Sequence, residues 1–218
     1  MAEKYGVVPP KFTKAWWEYF WEYYKIHTIA IGFIVIAVVT TAVQCATKEK
    51  FDLTMTYAGK LPITTEMSDK AEELCEPFIE DVDANGEKNI FFQVMTISGE
   101  RGFEEYDYAL TTKLQLEYQM ENSFIFMYDE KQLETMMNLD YVGEMFLPVS
   151  EWAGDVDESK IVKAPNGVGY AVDISGSKLF NDNGIICEGT YLTIKLNNKP
   201  EQEPAFEGSK SIAKEIIK

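Results

Sequence analysis

"WWEYFWEYYKIHTIAIGFIVIAVVTTAVQC", residues 16–45, sets a crowd of aromatic and charged side chains directly before an unbroken apolar run. From Ile26 to Ala46 there is no Asp, Glu, Lys or Arg. At about 1.5 Å per residue that stretch matches a hydrocarbon core about 30 Å thick. Its strongly polar residues, His27 and Gln44, sit at the ends, and Thr28, Thr40 and Thr41 can bond back to their own helix. Upstream, Trp16, Trp17, Trp21 and Tyr24 stand among further aromatics, with Lys25 closing the segment on its polar side. This is the composition of an interfacial belt.

Three fates compete for such a stretch. A cleaved secretory signal has a short basic leader, an apolar core of about 7 to 15 residues and a small-x-small cut site. Here the leader carries Glu18 and Glu22, and no Ala-x-Ala follows. Cys45 raises lipidation, but the residue before it is Gln44, where that processing wants a small side chain. A buried helix of a soluble domain has no use for this length without charge. The expectation is a retained single-pass signal-anchor, residues 26–46, after a tail and aromatic interfacial helix, residues 1–25, with a linker at 47–50.

Orientation follows from a modest bias. Lys4, Lys11, Lys14 and Lys25 precede the span, and Lys48, Lys50 and Lys60 follow it. A short leader before one span and a large following domain is the arrangement in which the N-terminus stays cytoplasmic. The expected location is therefore the cell membrane, with residues 51–218 extracellular. Of 20 basic and 36 acidic residues, the leader holds four Lys and three Glu, leaving 16 against 33, a net of −17. That acidity argues against nucleic acid and against docking on anionic lipid.

Residues 51–218 suffice for one α/β domain with a real core. In "FDLTMTY", residues 51–57, apolar and polar positions alternate as in a strand. "SDKAEELCEPFIEDV", residues 68–82, has helical spacing, with Ser68 or Asp69 as cap and Pro77 as a kink. "NIFFQVMTI" (89–97) reads as a buried strand, and residues 107–121 as a helix burying Ala109, Leu110, Leu114, Leu116 and Met120, with Lys113 and Glu117 as an i,i+4 pair. "SFIFMY" (123–128) and "EKQLETMMN" (130–138) continue the alternation. It predicts a three-layer lobe with a mostly parallel sheet. Two more strands, "VGYAVDI" and "TYLTIKL", and a closing helix with Pro204 near its start complete the chain.

Chemistry is sparse. The only histidine is His27, so Ser-His and Cys-His mechanisms and His-based metal sites have no place in residues 51–218. No carboxylate pair is singled out, and no catalytic site or cofactor is expected. "DVDANGE" (81–87) begins like a calcium loop, but the twelfth place is Phe92, and a helix-to-strand turn is the plainer expectation. Gly167 and Gly169 give only "GVG", short of a nucleotide fingerprint. Cys75 and Cys187 are open to a disulfide or to two buried thiols.

The run "ALTTKLQLEYQMENSFIFMYDEKQLETMMN…FLPVSEW", together with "GYAVDISGSKLFNDNG" and "TYLTIKLNNKPEQEPAFEGSKSIAKEII", resembles one lobe of the extracellular solute-binding proteins of ABC importers. The resemblance implies a binding module with a small solute as partner; the family has two lobes that close on a ligand, whereas residues 51–218 have room for about one, so with the anchor the expectation is a membrane-anchored, single-lobe relative. A structural or assembly protein that docks other membrane or surface proteins is the alternative. In a parallel sheet the ligand crevice lies beyond the carboxyl ends of the strands, at a switch in strand order. That rule selects Tyr57, Gly59 and Lys60 after the first strand, Ser98 to Arg101 after the second, and Tyr128 with Asp129 after the third.

Overall fold

The computed structural model describes residues 9–46, 51–82 and 84–218. The chain divides into two compact units, Met1–Glu49 and Lys50–Lys218. The linker at 47–50, the leader up to residue 8, the Cys45 side chain and Asp83 lie outside the described residues.

In the first unit one helix, α1, runs from Lys14 to Ala46, 33 residues without a break. It starts at Thr13, whose hydroxyl accepts the Trp16 N–H at 3.2 Å and donates to the Pro10 carbonyl at 2.7 Å. The Thr40 and Thr41 hydroxyls turn back to the Ile36 and Ala37 carbonyls at 2.9 and 2.8 Å, so these two are not left bare in an apolar environment. The segment Lys14–Gln44 is long and apolar enough to cross a membrane, with a mean hydropathy of 2.3, and none of that apolar window is buried. A core helix of a soluble domain would be covered. Trp16, Phe20 and Tyr24 stack in sequence along one side, with centroids 5.4 and 5.5 Å apart. The aromatic segment, Trp17, Trp21 and Lys25 included, is thus the first turns of the apolar helix and not a separate element.

The second unit is built on one six-stranded sheet. Its strands are β1 (Leu53–Gly59), β2 (Ile90–Thr96), β3 (Ser123–Asp129), β4 (Ile161–Lys163), β5 (Gly169–Asp173) and β6 (Thr190–Ile194), in the spatial order β2-β1-β3-β6-β5-β4. The helices are α2 (Thr65–Cys75), α3 (Glu104–Glu117), α4 (Glu130–Met137), α5 (Val142–Met145), α6 (Lys178–Asn181) and α7 (Glu203–Ile216). Helices cover both faces. Leu53, Met55 and Tyr57 belong to one buried cluster with Ala71 and Cys75 of α2 and Phe206, Ile212 and Ile216 of α7. Ala58, Met95, Phe126 and Tyr128 belong to the other, with Leu114 of α3 and Leu133, Met136 and Met137 of α4. Three layers result, as the alternation of elements predicts.

The sheet is mixed where a mostly parallel one was expected. β1 pairs in parallel with β2 and β3, but β3–β6, β6–β5 and β5–β4 are antiparallel. The physical reason is connection length. β4 and β5 are joined by "APNGV", where the Ala164 N–H bonds the Val168 carbonyl and Gly167 takes φ +82°, and so short a link only permits an antiparallel hairpin.

Two helices also depart from the sequence pattern. α2 begins earlier, capped by Thr64, whose hydroxyl accepts the Met67 N–H at 3.3 Å, instead of by Ser68 or Asp69. Pro77 ends it, and a 3-10 turn, Glu76–Phe78, follows. α3 buries only Leu114, while Leu110 is half-buried and Leu116 and Met120 are 59% and 50% exposed. Leu110 and Leu114 are one turn apart and face the sheet, whereas Leu116 is two residues on, about 200° around the axis. Lys113 and Glu117 make no ion pair, because the Glu117 carboxylate accepts the Ser123 hydroxyl at the start of β3. Cys75 and Cys187 are buried free thiols, without a disulfide.

Candidate functional site

The order β2-β1-β3 means that the chain leaves β1 toward one side and returns from β2 across it to the other, so the strand order switches between β1 and β3. Backbone bonds hold the strand ends together there. The Ile97 N–H, just past β2, bonds the Gly59 carbonyl at 2.9 Å.

Asp129 joins the β1 and β3 ends. Its Oδ1 accepts the Gln132 N–H at 2.9 Å and caps α4, while Oδ2 accepts the Lys60 N–H at 3.1 Å. Tyr57, buried, accepts the Leu61 N–H on its hydroxyl at 2.9 Å. Burial pushes that hydroxyl up to about 12; the hydrogen bond from Leu61 pulls it back, and the Asp129 carboxylate adds to the rise. Gly59 is required by close approach. A Cβ at this position would overlap the Tyr57 hydroxyl and stand 2.9 Å from the Asp129 Cβ. Gly59→Ala is therefore expected to cost about 1–3 kcal/mol through overpacking. Urea unfolding checks it, and an unchanged midpoint would mean that the junction yields freely.

The loop after β2 is organised by a residue that sequence reasoning did not single out. Asp107, in the first turns of α3, accepts the Ser98 N–H at 3.1 Å and the Gly99 N–H at 2.7 Å. The Ser98 hydroxyl accepts the Glu100 N–H at 3.2 Å, and Arg101 is exposed at the tip. The loop lies beside the start of α4, since a Cβ on Gly99 would meet the Lys131 ammonium at 3.0 Å. The structure thus gathers Tyr57, Gly59, Lys60 and Asp129 into one junction, with Ser98 bordering it. The Tyr57 hydroxyl, the Asp129 carboxylate and the Ser98 hydroxyl are already engaged with the chain's own backbone.

Two clefts lie elsewhere. One of about 580 Å³ is lined by Phe78, the loop 153–157, Lys160 and the last turns of α7. Another of about 220 Å³ lies between the end of α3, the end of α5 and the end of β6, and contains Lys195. The Lys195 ammonium donates to the Met120 carbonyl and lies 5.0 Å from the centroid of the Phe124 ring. Burial brings it down to about 8, against the pull of Glu117. None of the junction residues lines either cleft. Among the described residues no group of three or more His, Cys, Asp or Glu is placed to hold a metal ion. In the 81–87 turn, Asp81 accepts the Asn85 and Gly86 N–H groups at 3.2 and 2.8 Å, and the Asn85 side-chain oxygen accepts the Glu87 N–H at 2.7 Å, an Asx turn.

Set against known protein families, curated proteins and solved structures, the chain matches none.

Proposed function

We propose that the chain is a single-pass, membrane-anchored binding module, with its N-terminus cytoplasmic and its α/β unit displayed outside the cell. The observation that carries this reading is α1, a helix whose apolar window is uncovered on every side and which is followed in the chain by a compact, strongly acidic α/β unit. An apolar surface of that length is unfavourable in water at about 25 cal/mol per Å² and is relieved in lipid.

In the first reading of what it binds, the module resembles one lobe of a solute-binding protein and recognises a small solute at the β1/β3 switch. The convergence of the loops after β1, β2 and β3 there supports it. A second reading is favoured by the internal engagement of Tyr57, Asp129, Ser98 and Asp107 and by the absence of the junction residues from the lining of those two clefts. In it the unit is a docking module for other membrane or surface proteins. A thermal-shift screen of the detergent-solubilised chain against sugars, amino acids, short peptides and inorganic ions separates the two. A reproducible rise in melting temperature supports solute binding, and a rise removed by Asp129→Ala places it at the switch. Silence across the whole screen counts against the solute reading.

A further inference from the structure

Two polar side chains stand side by side in the layer between the sheet and α3. Thr56 of β1 is fully buried, and Gln93 of β2 is 6% exposed. The Thr56 hydroxyl and the Gln93 side-chain nitrogen are closed off from solvent, and no group among the described residues bonds either of them. β1 and β2 run parallel with Thr56 opposite Gln93 in the register, so both side chains leave the sheet on one face. It is the face of Ala58 and Met95, each two residues further along its strand, which belong to one buried cluster with Phe126 of β3 and Leu114 of α3. The alternate residues, Met55 and Phe92, belong to the cluster on the opposite face. The polar pair is thus enclosed in an apolar layer, at the place where α3 packs on β2.

We propose that this pair is an internal water site, with one water molecule held between the Thr56 hydroxyl and the Gln93 amide nitrogen beneath α3. The site is independent of the membrane and binding readings above. Three considerations select its occupant. Two hydrogen-bonding groups left dry in an apolar layer are costly, and native cores satisfy such groups with protein or with enclosed water. Neighbouring strands lie about 4.8 Å apart, so the two side chains reach a common point and a single bridging molecule serves both. The chemistry is that of a small neutral molecule: the amide nitrogen only donates, the hydroxyl donates or accepts, and a water can accept from the first while bonding the second in either sense. An ion would need an opposite charge beside it, and neither β1 nor β2 carries a charged residue. Thr56 and Gln93 line neither of the two clefts, which leaves the smallest polar molecule as the occupant. Because β2 is the outermost strand of the sheet, the water ties that edge to β1 from the α3 side, in addition to the backbone ladder.

The test is a double-mutant cycle on the full chain in detergent, read by urea unfolding. Thr56→Val keeps the branched shape and removes the hydroxyl; Gln93→Met keeps the length and removes the amide. With a bridging water in place, each single replacement deprives the water and the remaining group of a partner and lowers the folding equilibrium constant about tenfold. The double replacement removes both groups together with the water, so it is no less stable than the weaker single variant, and the two effects do not add. A dry pair gives the opposite sign, because Thr56→Val then deletes an unpartnered hydroxyl and leaves stability unchanged or raised. A second measurement needs no variant to fold: in the 15N-labelled native chain, magnetisation transfer from water to the Gln93 side-chain amide protons is expected. Unchanged or increased stability of Thr56→Val, additive losses in the double variant, or no water transfer at Gln93 in the native chain would each overturn the site.

Discussion

Replacing Ile34 and Val38 together with arginine is expected to move the chain from the membrane fraction to the soluble or degraded fraction. Both residues lie near the middle of the charge-free stretch and are 60% and 62% exposed on α1. Each arginine at a helix centre costs about 2.5–3.5 kcal/mol on the scale of cellular membrane insertion, and each lost aliphatic side chain removes a further few tenths. The pair therefore shifts insertion by about 6–7 kcal/mol, enough to reverse a marginally favourable span. Both substitutions lie in the N-terminal unit, and the α/β unit has buried clusters of its own, so it should keep its fold. Circular dichroism of the released protein checks that. Undiminished membrane retention of the double variant would show that something other than the apolar helix holds the chain.

Alkaline pH gives the second large effect. Burial pushes the Cys75 thiol up to about 12 and the Tyr57 hydroxyl to the same level, and raises Tyr118 and Tyr128 further, those two also sharing a hydrogen bond at 2.8 Å. A group whose folded value is raised holds its proton in the native state after the unfolded chain has lost it. The stability it contributes is intact below the unfolded value and is lost as pH climbs toward the folded one. Ordinary values are about 8.5 for Cys and 10 for Tyr, so the four losses overlap from about pH 10 upward. At about 1.4 kcal/mol per pH unit per proton, four protons give a slope of about 5 kcal/mol per unit, comparable with the whole stability of a domain. Lys195 acts in the opposite direction. Its folded value of about 8 lies below the unfolded one, so stability gains as pH rises from there to about 10.5. The combined profile is nearly level between pH 9 and 10, then falls steeply. Tyrosinate absorbance and far-ultraviolet dichroism in detergent should change together in one cooperative step near pH 11. Smooth tyrosine ionisation with the fold intact would contradict the burial of Tyr57, Tyr118 and Tyr128.

The order of elements in the first half of the α/β unit is legible in the sequence, because β1 alternates, β2 and β3 are short apolar runs, and α2 and α4 carry helical spacing. In the second half β5, β6 and α7 lie where the sequence places them, but β4 and the antiparallel turn of the sheet do not show in it, and the reasons are local. β4 has three residues, too few to show alternation, and only "PNG" before "VGYAVDI" announces the hairpin that turns the sheet antiparallel. In α3, apolar residues lie on two sides, and spacing alone does not tell which side meets the sheet. Leu110 and Leu114 do; Leu116 and Met120 do not. At the junction the strand-end rule finds Gly59 and Asp129, but the bond from Lys60 to Asp129 joins residues 69 apart, and no local pattern encodes it. Asp107 escapes for a related reason. It is one acid among three in the first turn of a helix, and only the fold brings the Ser98 and Gly99 amides to it.

Permanent residence of α1 in the bilayer is the premise on which the display of the α/β unit depends, and extraction of isolated membranes with alkaline carbonate tests it most directly. The intact chain is predicted to remain in the membrane pellet, as an integral protein does. Its quantitative appearance, uncleaved, in the supernatant would contradict the account.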